Sequence, residues 1–168
     1  MRRAYLPEDP ILAEKDQSAP GFYLEDLTVG QRFSSGTHTL DADQIISFAR
    51  QFDPQPFHLD DDAAKGTLFG GLAASGWHTA ALTMKLIVQS TPFSSGVIGS
   101  NAVVKWPRPT RPDDVLHVES EIMSLTPSKS RPERGRVVMK SLTLNAKGDV
   151  LQELEATIVV PRKPLMEG

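Results

Sequence analysis

Only one stretch of this chain has the length and apolar pattern of a long buried helix, and that limits the folds open to it. In GTLFGGLAASGWHTAALTMKLIVQS, residues 66–90, Gly66, Gly70 and Gly71 mark a loop. From about Leu72 onward, Trp77, Ala80, Ala81, Met84, Ile87 and Val88 recur at three- and four-residue spacing. The apolar face is wide, so this helix is expected to be mostly buried. The rest of the chain alternates instead. GVIGSNAVVKWPRP, DVLHVESEIMSLTPS, GRVVMKSLTLNAKGD and VLQELEATIVVPR are strand candidates, separated by turn signals at Pro107 to Asp114, Pro127 to Gly135 and Lys147-Gly148-Asp149. A sheet with one apolar face needs a cover, and only one helix is available to provide it. The fold class is therefore α+β, an antiparallel sheet wrapped around one long central helix.

Upstream, QRFSSGTHTL reads as a first strand bent at Gly36. DADQIISFARQF reads as a short helix, with Asp41 as N-cap, Gln44 as its capping-box partner and Ile45, Ile46, Phe48 and Ala49 as its apolar stripe. It should stop near Phe52, because the residue before Pro54 is pushed out of helical geometry. Residues 1–20 lack periodicity and carry Pro7, Pro10 and Pro20. They are expected to form an extended or poorly ordered arm, with residues 21–163 as a single domain and 164–168 as a tail.

The chain has no cysteine, which excludes disulfides, thiolate metal sites and a cysteine nucleophile. A net charge of −3 gives no sign of nucleic-acid binding. The longest weakly polar stretch, 68–88, contains Ser75, His78 and Lys85 and is too polar for a membrane span. The proline-interrupted N-terminus does not read as a signal peptide, so a cytoplasmic protein is expected.

The chemistry concentrates in FDPQPFHLDDD, residues 52–62. Pro54 and Pro56 hold an extended turn between Asp53 and His58. A carboxylate and an imidazole fixed in one rigid turn can both hydrogen-bond a single water and share its proton, as general acid–base catalysis near neutral pH requires. The same two residues also suit a capped turn with a half-buried polar histidine, and spacing alone favours that plainer reading.

FDPQPFHLD followed by FGGLAASGWHTAALTM resembles the MaoC-like hydratase family, which includes (R)-specific enoyl-CoA hydratases of hotdog fold. Asp53, Pro56 and His58 match the family motif, and Gly76 matches its oxyanion glycine. Phe52, Gln55 and Phe57 depart from the motif's glycine, asparagine and aliphatic residue. The family's deeper serine falls at about Met84, beside Thr83. The resemblance implies a hydratase or dehydratase acting on the 2,3 double bond of an acyl-CoA thioester. Asp53 and His58 would be the catalytic pair, and Gly76, Ser75, Gln55 and Phe57 the oxyanion and substrate-binding residues. It implies no cofactor and no metal, and a homodimer or higher homo-oligomer. A hotdog thioesterase and a non-catalytic acyl-CoA-binding module stay open as alternatives.

Basic residues cluster at Lys129, Arg131, Arg134, Arg136 and Lys140, and again at Lys105, Arg108 and Arg111. They suit either coenzyme A phosphates or a solvated sheet edge. His38 and His117 fall in strands without ligand spacing, and His78, two residues past Gly76, suits either the pocket mouth or, as the commoner case, a helix surface. In HLDDD, Asp60 or Asp61 as the N-cap of a short helix is simpler than a metal site.

Overall fold

The computed structural model describes residues 21–164. The expected arm at 1–20, and all but the first residue of the expected tail, lie outside the described residues. The alternating stretches form the sheet. β3 (Ile98–Lys105), β4 (Val115–Pro127), β5 (Arg134–Leu144) and β6 (Val150–Pro161) join β1 (Arg32–Ser34) in the order β1-β4-β5-β6-β3, with β2 (His38–Thr39) also paired to β4. All these pairings are antiparallel. The expected first strand is two short strands, broken around Gly36.

Burial follows the period of two. Leu116, Val118, Ser120 and Ile122 of β4, and Val137, Met139, Ser141 and Thr143 of β5, are buried. Against this inner face lies α4 (Gly76–Ser90), which buries Leu82, Thr83, Leu86 and Ile87. The sheet wraps one central helix, as the pattern of elements requires.

α1 (Ala42–Phe52) stops where Pro54 predicts. Asp41 caps it, accepting from the Gln44 N–H at 2.8 Å. Gln44 bonds back to the Asp41 carboxylate at 2.9 Å and also reaches His38 at 2.8 Å. The expected extended turn is instead one helical turn, α2 (Pro56–Leu59), because Pro56 occupies the first helical position, where a missing N–H costs nothing. Asp60 then caps α3 (Asp61–Lys65), accepting from the Ala63 N–H at 2.8 Å.

The central helix begins at Gly76, four residues later than its periodicity suggests. Leu72, Ala73 and Ala74 are buried, but their backbone is engaged sideways. The N–H groups of Leu72, Ala73 and Ala74 go to Asp61 Oδ1, the Phe57 carbonyl and the Thr110 carbonyl. Arg111 donates to the carbonyls of Phe69, Gly71 and Leu72. Apolar side chains in such a segment mimic a helical stripe, while their hydrogen bonds hold them out of the helix.

Candidate active site

Asp53 and His58 come together. Asp53 is the C-cap of α1, and its Oδ2 lies 3.4 Å from His58 Nε2. His58, only 4% exposed, sits on α2, and its Nδ1 is 2.7 Å from the Ala73 carbonyl. A carbonyl only accepts, so Nδ1 carries the hydrogen and Nε2 is left facing the carboxylate. In the neutral ring, Nε2 and Oδ2 are then both acceptors. They cannot satisfy each other without a shared hydrogen, and one water seated beside the pair, within reach of both, can donate to each.

The Asp53 carboxyl is held below its ordinary range. Desolvation is the largest influence and pushes it up, but hydrogen bonds from Ser75 and Gln55 and the electrostatic influence of the His58 ring together outweigh it. The Gln55 amide donates to Asp53 Oδ1 at 2.7 Å, and the Gln55 carbonyl accepts the His58 N–H at 2.9 Å. One exposed glutamine thus ties both halves of the pair. Ser75, fully buried, caps α4 by accepting the Trp77 N–H at 3.2 Å, which leaves its O–H for Asp53.

Gly76 is the first residue of α4, so its N–H has no carbonyl within the helix to bond. It lines the same cavity as His58, a pocket of about 250 Å³ that also takes in Phe69, Thr79, Trp106 and Thr110. A Cβ at Gly76 would stand 2.8 Å from the Trp106 indole. Glycine is therefore required here by the packing of an aromatic ring, in addition to any approach of a substrate.

The model for the MaoC like domain matches residues 26–143, more than half of the chain. The chain belongs to the MaoC-like domain family. Its structure matches the crystal structure of a MaoC-like dehydratase from Rhodospirillum rubrum with TM-score 0.84 and 56% identity, covering 86% of this chain and 100% of that one. Among curated relatives, an (R)-specific enoyl-CoA hydratase of Rhodospirillum rubrum is 27% identical over 141 residues, 84% of this chain and 93% of that protein. A 3-hydroxybutyryl-CoA dehydratase of Methylorubrum extorquens is 28% identical over 142 residues, 84% of this chain and 85% of that protein. The wrapped sheet and helix are the hotdog fold of these MaoC-like neighbours.

Within this MaoC-like domain the other sequence candidates are spread more widely. Phe57 does not line the cavity. Its ring packs edge-on against His58 at 4.6 Å and meets Phe69 at 4.9 Å, so it backs the imidazole while Phe69 forms the wall. Phe52 is exposed and packs on Phe48. Met84 turns outward, whereas Thr83 beside it is fully buried and carries the inward hydroxyl, 2.6 Å from Thr143 Oγ1. Arg111 is engaged with loop carbonyls, and Arg108 lines the cavity. Lys129, Arg134 and Arg136 belong to the β4–β5 hairpin, where Pro127 pairs Gly135, at the far end of these strands from Thr143. His117 pairs Leu144, and His38 bonds Gln44.

His78 corrects an expectation outright. It is buried rather than on the surface, stacked on Phe48 at 4.5 Å with rings 3° apart. Burial, with a smaller contribution from His38, lowers its pKa from 6.5 to about 4. Trp106, Phe69 and Thr110 had no motif to announce them. The only available signal was WPRP, an aromatic followed by two prolines that stiffen the loop after β3.

Proposed function

We propose that this chain adds water to, or removes it from, the 2,3 double bond of an acyl thioester of the enoyl-CoA type. The supporting observation is the pair of acceptors, His58 Nε2 and Asp53 Oδ2, 3.4 Å apart, with His58 opening on the cavity that Gly76 also lines. In this reading a water donates one hydrogen to each acceptor, and its oxygen attacks Cβ. The proton it loses passes to the pair, and Cα takes one up, so the pair acts as a single titrating unit. Negative charge gathers on the thioester oxygen in the transition state. The Gly76 N–H, at the positive end of α4, stabilises that oxygen without reorganising. The relatives named for hydration and dehydration of coenzyme A thioesters support the same substrate class.

The reading includes a homodimer. The edge strand β3 leaves Ile98 and Val103 exposed, and α4 presents Trp77 and Met84 outward, so a second copy would cover apolar surface and extend the sheet.

The test is to follow the enoyl-thioester absorbance of 2-enoyl-CoAs together with free thiol. Loss of absorbance without release of thiol is expected. Release of thiol would make the protein a thioesterase, and acyl-CoA binding without turnover of any enoyl-CoA would make it a binding module.

A further inference from the structure

The cavity has a wall and a floor that the acid–base pair does not use. Trp106 follows β3 directly, and Pro107 and Pro109 fix the backbone after it. Its indole lies over the first turn of α4, with ring carbons 2.8, 2.9 and 3.1 Å from where a Gly76 Cβ would be. The ring is anchored from behind. The Trp106 Nε1–H donates to Gln152 Oε1 at 2.7 Å, and Gln152 is 1% exposed. Indole nitrogen can only donate, so the orientation of the glutamine amide is determined, and its Nε2 donates to Thr83 Oγ1 at 3.0 Å. Thr83 is itself held by the Thr79 carbonyl at 2.8 Å and by Thr143. The indole thus sits at the end of a buried chain of hydrogen bonds running from β5 and β6 through the middle of α4.

The floor is polar. Thr79 and Thr110, both lining the cavity, bond each other through their hydroxyls at 2.9 Å and are almost fully buried. A methylene chain pushed past them would break this bond and leave the Thr110 hydroxyl without it, while Thr79 would keep only its 3.5 Å bond to the Ser75 carbonyl.

We infer that Trp106, positioned by Gln152, is the wall that restricts this site to short acyl thioesters, with the Thr79–Thr110 pair closing the floor. The inference rests on the proposed acyl-thioester function and adds the class of acyl group and the residues that set it. Trp106 touches the acyl group and determines specificity. Gln152 acts through it as a positioning residue.

The experiment uses the full chain and two series of ligands. For turnover, kcat/KM should fall by at least about a hundredfold from crotonyl-CoA to oct-2-enoyl-CoA. For binding, which needs no chemistry, calorimetry should show butyryl-CoA binding more tightly than octanoyl-CoA. Trp106→Ala should raise the oct-2-enoyl to crotonyl ratio by at least about tenfold. Gln152→Leu should move that ratio the same way by less, whereas a merely structural role would lower Tm and leave the ratio alone. Equal turnover of both lengths by the unaltered protein overturns the wall and leaves the hydratase reading standing. Preferential binding of butyryl-CoA with no turnover of any enoyl-CoA does the reverse. Failure to bind either saturated thioester, with no turnover of any enoyl-CoA, overturns both. If Trp106→Ala does not fold, the unaltered protein still tests the short-chain limit, and an unchanged ratio in Gln152→Leu overturns its assignment to the Trp106 wall.

Discussion

The C-terminal and N-terminal halves of α4 lie against the same sheet and bury different chemistry. The C-terminal half sets Leu86 and Ile87 into one apolar cluster with Ile122, Val137, Met139 and Phe93. Contacts there are non-directional, and their worth scales with the area removed from water. The N-terminal half buries Ser75, His78, Thr79 and Thr83. Each of the three hydroxyls finds a partner: Ser75 the Trp77 N–H, Thr79 the Thr110 hydroxyl, and Thr83 the Thr143 hydroxyl and Gln152. A buried hydroxyl left unpaired is costly, so these three sets of bonds fix position as well as composition. Apolar packing holds the helix, and directional bonds aim what stands at its start. In the proposed function one element would serve stability and chemistry with separate residues, and substitutions at its two ends should fail in different ways.

The largest effect expected is on the chemistry alone. His58→Asn keeps an amide hydrogen within reach of the Ala73 carbonyl but loses the basic nitrogen that faces Asp53. Steady-state hydration kinetics should show a loss of about 10²–10⁴-fold, with little change in Tm. The C-terminal half of α4 should give the opposite result. Leu86→Ala should destabilise the fold by about 2–5 kcal/mol in urea denaturation, while kcat/KM of the protein that remains folded stays as it was. Loss of activity without loss of stability at Leu86 would break the division.

His78 links the two ends through pH. Its pKa falls from 6.5 to about 4 in the folded protein, so between those values the unfolded chain binds a proton that the folded one refuses. Stability should therefore fall as pH drops through that window, by as much as about 3 kcal/mol, and this loss should level off below it. Denaturation midpoints at several pH values would show the slope, and His78→Phe should flatten it. The smallest effect belongs to Ser75→Ala. Loss of the cap should cost about 1 kcal/mol. Loss of the hydrogen bond to Asp53 should let the carboxyl pKa rise, moving the acid limb of the pH–rate profile to higher pH.

How much of this was legible in the sequence follows the same division. Where burial alternates along β4 and β5, the apolar pattern is the structure, and those strands lie within a residue or two of where the pattern puts them. Caps were equally legible, because Asp41 and Asp60 act on backbone three residues away. The start of α4 was not. Leu72, Ala73 and Ala74 are as apolar as a helical face, and long-range bonds to Asp61, Phe57 and Thr110 hold them out of the helix. The wall of the cavity was hidden for the same reason. Trp106 meets Gly76 from thirty positions away, and Gln152 reaches Thr83 from sixty-nine, distances at which one chain carries no local signal. The juxtaposition of Asp53 and His58 was legible because both halves sit on one proline-punctuated turn. The tautomer that gives it meaning was not, since it depends on the Ala73 carbonyl fifteen residues on.

The most direct measurement compares crotonyl-CoA hydration by the unaltered protein and by Asp53→Asn, with butyryl-CoA affinity and Tm recorded on the same samples. The account predicts a rate lower by about 10²–10⁴-fold in the variant, with affinity and Tm close to unchanged. Equal rates in the two proteins would contradict it.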